Sequence, residues 1–134
     1  MHVYEHHLST KGPQQMTKIT SFIREDIKKS GVQEGIAVVF SPHTTAGFTI
    51  NENADPDVVR DMLYGYEKVF PTHAEYYRHA EGNSHAHMKT TLVGPSQTII
   101  IHNGEILFGI WQDLYFCEFD GPRSRRFYVK ILEG

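Results

Sequence analysis

Thr98-Ile-Ile-Ile-His-Asn-Gly-Glu-Ile-Leu-Phe-Gly-Ile110 is the stretch whose reading decides the fold. Asn103-Gly104 is the strongest short hairpin signal, and apolar runs flank it on both sides, so residues 98–102 and 105–110 are expected to pair. Strand character continues beyond it. Residues 114–119 form a run rich in aromatics, closed by the turn Asp120-Gly121-Pro122. Residues 126–132 then alternate, with Phe127, Val129 and Ile131 on one face and Arg126, Tyr128 and Lys130 on the other.

The first half reads differently. A short strand is expected over residues 3–9. From Gln14 to Ser30, Met16, Ile19, Ile23 and Ile27 recur at helical spacing, and Gly31 ends the helix, with Lys28 and Lys29 in its last turn. The β-branched run 36–40 predicts a buried strand, and 48–50 a further one. Asp55-Pro56-Asp57 starts a second helix with a carboxylate cap and a proline at the first helical position; Val58, Val59, Met62, Leu63 and Tyr66 continue it, and Pro71 bounds it. Ser84 is expected to cap a shorter helix that ends at Gly94-Pro95. Helices early and hairpins late predict a single compact α+β domain over residues 1–134, with a mainly antiparallel sheet and two or three helices. No glycine fingerprint follows a strand and no phosphate loop is present, which argues against a doubly wound nucleotide fold.

Composition narrows the function classes. The chain has 134 residues, 40% of them hydrophobic, and a net charge of −3, which gives no general attraction to nucleic acid or an anionic membrane. One cysteine, Cys117, excludes an intramolecular disulfide and fits a reducing compartment; alternating with aromatics, it is expected to be buried and inert. The opening Met-His-Val-Tyr-Glu-His-His lacks the pattern of a signal peptide, and no apolar stretch approaches the roughly 20 residues of a membrane span. The expectation is a cytoplasmic protein without membrane or nucleic-acid partners.

The chemistry concentrates in His79-Ala-Glu-Gly-Asn-Ser-His-Ala-His-Met-Lys89. Taken singly, most of the nine histidines are ordinary exposed or hydrogen-bonded residues, His2, His6, His7, His73 and His102 among them. The density of 79–87 reverses that reading. Gly82 lets the chain turn back, so His79 and His87 can converge, and His43 sits at a strand end among small polar residues. Three nitrogens with one open position suit a divalent metal, zinc or magnesium, held by His43, His79 and His87. Glu81 and Glu52 are the candidate proton carriers. Lys89 and Arg123 are candidates for an anionic group, whereas Arg125 and Arg126 read as a solvated turn. Thr44, Thr45, Asn83 and Ser84 supply hydroxyls and an amide for substrate. Trp111-Gln112 and Tyr115, Phe116 and Phe119 form either a stacking surface for a flat heterocycle or, by preference, a core or subunit interface.

His-Thr-Thr-Ala-Gly-Phe-Thr-Ile-Asn-Glu-Asn-Ala-Asp-Pro-Asp-Val at 43–58 resembles the YjbQ-like family. So do His-Ala-Glu-Gly-Asn-Ser at 79–84, His87 with Lys89, Trp111-Gln112, and Glu118-Phe-Asp-Gly-Pro-Arg123. The resemblance implies a compact α+β fold, a homotrimer, and a pocket near the subunit interfaces lined by His43, His79 and His87. It also implies activity like that of secondary thiamine-phosphate synthases. His85 stands where the family usually has aspartate, Ile110 where it has threonine, and Asp113 where it has glycine.

Two expectations follow. In the first, the chain is an enzyme that displaces pyrophosphate to form thiamine phosphate. His43, His79 and His87 hold the metal, Glu52, Glu81 and Lys89 are the catalytic groups, and Thr44, Thr45, Asn83, Ser84, Gln112 and Arg123 bind a small phosphorylated molecule. In the second, it is a non-enzymatic homotrimer that binds a small anionic metabolite or a metal.

Overall fold

Two antiparallel sheets share one apolar core in the computed structural model, which describes residues 3–134. The chain runs β1 (Tyr4–Ser9), β2 (Gln15–Lys18), α1 (Thr20–Ser30), β3 (Gly35–Phe40), β4 (Ala46–Glu52) and α2 (Pro56–Val69). It continues through α3 (Ser84–Val93), β5 (Ser96–His102), β6 (Glu105–Ile106), β7 (Gln112–Glu118) and β8 (Ser124–Glu133). One sheet has the order β1-β8-β3-β5-β6 and the other β2-β7-β4, with every pairing antiparallel. The domain is α+β, as the sequence predicts. His2 lies outside the described residues.

The hairpin forms where it was expected. His102 pairs with Glu105, and Asn103 and Gly104 take φ values of 53° and 76°, the left-handed pair that a tight two-residue turn demands. Yet β6 stops at Ile106 rather than reaching Ile110. The Gly109 amide donates to the Gln112 side chain at 2.8 Å, and the Gln112 amide donates back to the Gly109 carbonyl at 3.0 Å. This local turn sends the chain into the second sheet.

The helix expected from Gln14 is also shorter. Residues 15–18 pair with β7, Gln15 opposite Glu118 and Lys18 opposite Tyr115, and α1 begins only at Thr20. Helical spacing of apolar residues cannot reveal that a sheet edge has claimed the backbone groups. The Thr20 hydroxyl fixes the changeover: it accepts from the Leu114 amide at 2.8 Å and donates to Asp113. By contrast α2 begins as read, with the Asp55 carboxylate accepting from the Asp57 amide at 2.9 Å. Ser84 is the first residue of α3 rather than its cap. Asn83 holds the cap position but gives its side chain to Asp120 instead.

Ile19, at the cap position before α1, and Ile23 and Ile27 within it pack with Val39, Phe48, Phe116, Phe127 and Val129, drawn from both sheets, and all are essentially inaccessible. Phe48 meets Phe116 and Phe127 edge-on at 5.6 and 5.9 Å. Each such buried side chain stabilises the fold by roughly 1.5–3 kcal/mol. Phe127 and Val129 face inward as the alternation predicts, and Ile131 is half-buried against the same core. A smaller cluster of Ala86, Tyr115, Cys117 and Phe119 lies beneath α2 and α3. The aromatic run of β7 is therefore core, and of the aromatics proposed for stacking only Trp111 stands exposed. The Cys117 thiol, buried here, is pushed up to about 12 and is inert as expected.

Gly47 lets α3 approach. A side chain there would meet the Gly94 carbonyl oxygen at 2.4 Å, and that oxygen instead accepts from the Phe48 amide at 3.0 Å. Two buried ionic groups then fix the ends of the elements. Arg125, at the start of β8, donates from Nε to Glu118 of β7 at 2.7 Å and from Nη2 to the same carboxylate and to the Thr45 hydroxyl. Thr10 and the Asp120 amide also donate to Glu118, at 2.8 and 2.9 Å. Burial alone would raise the Glu118 carboxyl, but Arg125 and these donors outweigh it and hold it low. Lys89 of α3 is fully buried and donates to Glu67 of α2 at 2.7 Å, to Gln14 at 3.2 Å and to His85 Nδ1 at 2.9 Å. A third pair, His6 with Asp26 at 2.6 Å, ties β1 to α1.

Glu118→Ala would leave the Arg125 guanidinium buried and unpaired, and urea unfolding should show a loss of about 3–5 kcal/mol. A loss below about 1 kcal/mol, as for a surface pair, would contradict this role. Glu67 predicts a pH dependence. Burial raises its carboxyl, yet Lys89, Thr72 and Gln14 outweigh that and lower it from 4.5 to about 2. The unfolded chain therefore takes up the proton first. The resulting stabilisation is complete above pH 4.5 and is lost as pH falls to about 2. Thermal melts of Glu67→Gln across that range should have a shallower acid slope than the unsubstituted chain.

Candidate functional site

Three segments converge around a cavity of about 440 Å³: the loop after β3, the residues leading into α3, and the turn between β7 and β8. The first segment is held by Ser41, whose hydroxyl donates to the Ala46 carbonyl at 3.0 Å and accepts from the His43 amide at 3.2 Å. His43 Nε2 accepts from the Arg126 amide at 3.0 Å. A neutral imidazole has one acceptor nitrogen, so this contact assigns the proton to Nδ1. Burial, and then the nearby Arg125 charge, push the His43 pKa down and keep the ring neutral.

The second segment brings His79 and His87 together, with ring centroids 5.4 Å apart and planes at 76°. His79 Nε2 lies 3.9 Å from the Glu81 carboxylate, and both side chains are exposed. The third segment is clamped to the second. Asn83 Nδ2 donates to Asp120 Oδ2 at 2.8 Å, which also accepts from Arg123 at 3.0 Å. Arg123 Nε donates to the Asp120 carbonyl at 2.7 Å. Asn83 is almost completely buried, and its Oδ1 has no hydrogen-bond partner among the described residues. Such an atom is expected to take a donor from whatever enters the site.

Of the residues singled out in the sequence, His43, Thr44, Thr45, His79, Glu81, Asn83, His87 and Arg123 line this one cavity. Four others do not. Glu52 lies at the far end of β4, and its carboxylate accepts from the Asp55 amide at 3.1 Å, helping to start α2. Gln112 pairs with it across the sheet, so both lie roughly 20 Å along the strands from the Ala46 end that borders the site. The Lys89 ammonium is spent on Glu67, Gln14 and His85. Ser84 lies in the adjoining cavity rather than this one. Two lining residues escaped the sequence reading. Arg125 read as a solvated turn but is buried, and Asp120 read only as a turn residue. Their signal was the alternation of Glu118, Asp120, Arg123 and Arg125 across one turn, which marks paired charges.

The three-histidine metal set does not fit these residues. Coordination needs a nitrogen lone pair, and the only one on neutral His43 is taken by the Arg126 amide. Among the described residues no three histidine, cysteine, aspartate or glutamate side chains are grouped to hold a metal ion. His43 instead offers an N–H donor. The cavity thus presents hydrogen-bond donors from a histidine, a guanidinium and hydroxyls, with a pair of imidazoles and a carboxylate beside them.

The family model for UPF0047 protein YjbQ-like matches residues 4–134. UPF0047 protein YugU of Bacillus subtilis is 48% identical over 125 residues, covering 93% of this chain and 95% of that one. UPF0047 protein MJ1081 of Methanocaldococcus jannaschii is 48% identical over 130 residues, covering 97% and 94%. The crystal structure of an uncharacterised YjbQ/UPF0047 protein from Clostridium acetobutylicum superposes with a TM-score of 0.94 at 55% identity, covering 96% of this chain and 99% of that one. A YbjQ-like protein of unknown function from Sulfolobus solfataricus also reaches 0.94, at 27% identity, covering 99% and 97%. No helix among the described residues is long and apolar enough to cross a membrane. Matched along almost its entire length, the chain belongs to the YjbQ-like UPF0047 family.

Proposed function

We propose that the histidine-lined cavity binds the phosphate or diphosphate group of a small molecule. The observation that carries this reading is the convergence of His43, His79, His87 and Arg123 on one cavity of about 440 Å³. Charge-assisted donors of this kind favour an oxyanion, and the planar guanidinium of Arg123 matches its geometry. On this reading the chain is a thiamine-phosphate synthase-like transferase. The ring nitrogen of a thiazole phosphate bonds to the methylene carbon of a pyrimidine diphosphate as the carbon–oxygen bond to pyrophosphate breaks. Arg123 and the His43 N–H stabilise the negative charge that develops on the departing group. His79 with Glu81, and His87, hold or release a proton at the pyrophosphate oxygens. A divalent ion, zinc or magnesium, would enter only with the bound phosphate and would supply charge neutralisation.

A homotrimer belongs to the same proposal. Ile36 pairs across the sheet with both Ile100 and Leu132, and all three are exposed, as is Phe40. An apolar patch on a sheet face supports a subunit contact. One observation favours the non-enzymatic reading instead: Glu52 and Lys89, two of the three residues expected to be catalytic, lie outside the cavity.

Pyrophosphate titration by calorimetry tests the binding reading. Arg123→Ala should weaken affinity about tenfold or more, as loss of a charged hydrogen bond implies. Unchanged affinity in both Arg123→Ala and His87→Ala would remove the cavity from consideration. Glu81→Gln separates the two functions: binding kept with thiamine phosphate formation lost supports an enzyme, and binding without turnover in the unsubstituted chain supports the binder.

A further inference from the structure

A separate cavity of about 490 Å³ lies where the C-terminal half of α1 meets the β5–β6 hairpin, and it shares no residue with the histidine-lined one. Arg24, Ile27 and Lys28 fall at i, i+3 and i+4 along α1 and form one wall. Gly104, Glu105 and Ile106 form the wall across from it. Backbone bonds hold the hairpin to the loop after α1. The Gly104 amide donates to the Gln33 carbonyl at 2.9 Å, and the Asn103 amide to the Glu34 carboxylate at 2.9 Å. Ile27 is buried, and Val32 and Ile106 pack against the main core, so the floor is apolar. Ile106 pairs with buried Ile101 and therefore faces the core side of its sheet, away from exposed Ile36, Ile100 and Leu132. The cavity is not part of that apolar face.

The charges around this cavity are uncompensated. Arg24 and Lys28 stand one turn apart, where like charges destabilise a helix. Among the described residues no ion pair reaches Arg24, Lys28 or Glu105. The other acids nearby are engaged: Asp26 bonds to His6, and Glu34 to His102 and Asn103. Lys28 complements the carbonyl end of the helix dipole, but Arg24, two turns before the Gly31 cap, has no such role. We infer that this cavity binds a small organic monocarboxylate, its carboxylate between Arg24 and Lys28 and its apolar body over Ile27, Val32 and Ile106. The guanidinium fork matches a carboxylate, and the ammonium adds a second charge-assisted bond. Glu105, across the cavity, sets the charge of the ligand. It repels a second negative group and so selects a monoanion over a phosphate dianion. An apolar floor with a few convergent polar groups is the usual form of a small-molecule site. The site stands independently of the phosphate-binding reading of the histidine-lined cavity.

The probes are hydrocinnamate, the neutral hydrocinnamyl alcohol and hydrocinnamyl phosphate, titrated into the isotope-labelled full chain and followed by two-dimensional NMR. Hydrocinnamate should shift the amides of Ile27, Val32, Gly104 and Ile106 to saturation. It should bind about tenfold or more tightly than the alcohol, as loss of a charged hydrogen bond implies. Arg24→Gln combined with Lys28→Gln should remove that preference and leave the melting temperature unchanged, since both side chains are exposed. The phosphate should bind this cavity about threefold or more weakly than hydrocinnamate, and Glu105→Gln should close that gap. Equal affinity for acid and alcohol, a preference that survives the double variant, or shifts centred elsewhere in the chain would overturn the site. So would the lack of a saturable shift up to about 10 mM hydrocinnamate. A phosphate bound here as tightly as the carboxylate in the unsubstituted chain would overturn the choice of a monoanion.

Discussion

The Arg125–Glu118 pair is the constraint on which the remainder rests. It bridges the end of β7 in one sheet and the start of β8 in the other, with both charges removed from solvent. A buried pair of this kind is tolerable only when hydrogen bonds satisfy the remaining lone pairs, and Thr10, Thr45 and the Asp120 amide do so. The consequence is geometric. With the two strand ends locked, the turn between them places Asp120 and Arg123 on the cavity wall. The neighbouring Arg126 amide is aimed at His43. The same guanidinium that closes the sheets also helps to keep His43 uncharged, so scaffold and site electrostatics have one source.

The parts of the fold legible in the sequence were those governed by local backbone chemistry. Asn103-Gly104 specifies its turn, and Asp55-Pro56-Asp57 specifies a helix start, whatever surrounds them. The strand at 15–18 was not legible, because its partner β7 lies about a hundred residues away and its apolar spacing also fits a helix. The segment 79–89 is dense in chemical groups, but its residues divide by helical phase. His87 lines the cavity, while His85 and Lys89, at i and i+4, turn inward together. Lys89 could have been separated from the site by that spacing alone. Arg125 could not, since only the fold supplies the carboxylate that buries it.

His85 shows how a buried imidazole is accommodated beside the Lys89 ammonium. An aspartate at position 85 would give Lys89 a charge on its own helix. Here it meets a neutral imidazole, whose pKa is pushed down by burial and then by Lys89 itself. Nδ1 accepts a hydrogen bond without neutralising the ammonium. The compensating charge comes from Glu67, so the ion pair spans the α2–α3 contact. Helix α2, which has no buried residue of its own, is thereby anchored by an ionic link as well as by Val59, Leu63 and Tyr66.

A carboxylate in a cavity proposed to bind an anion looks like a contradiction, and the hydrogen bonds at Asp120 resolve it. Its Oδ2 already accepts from Asn83 and Arg123, so its charge is engaged before any ligand arrives. Guanidinium carries five donors, and Asp120 takes two of those on Arg123, one through the carbonyl and one through the carboxylate. Among the described residues the remaining donors make no hydrogen bond, while the side chain is already oriented. Holding a long cation in place before binding lowers the entropy lost on association, which benefits a small, charged ligand most. Asp120 is then a positioning residue for Arg123. Asn83, pinned by the same carboxylate and with no partner for its Oδ1 among the described residues, completes the wall of the proposed site.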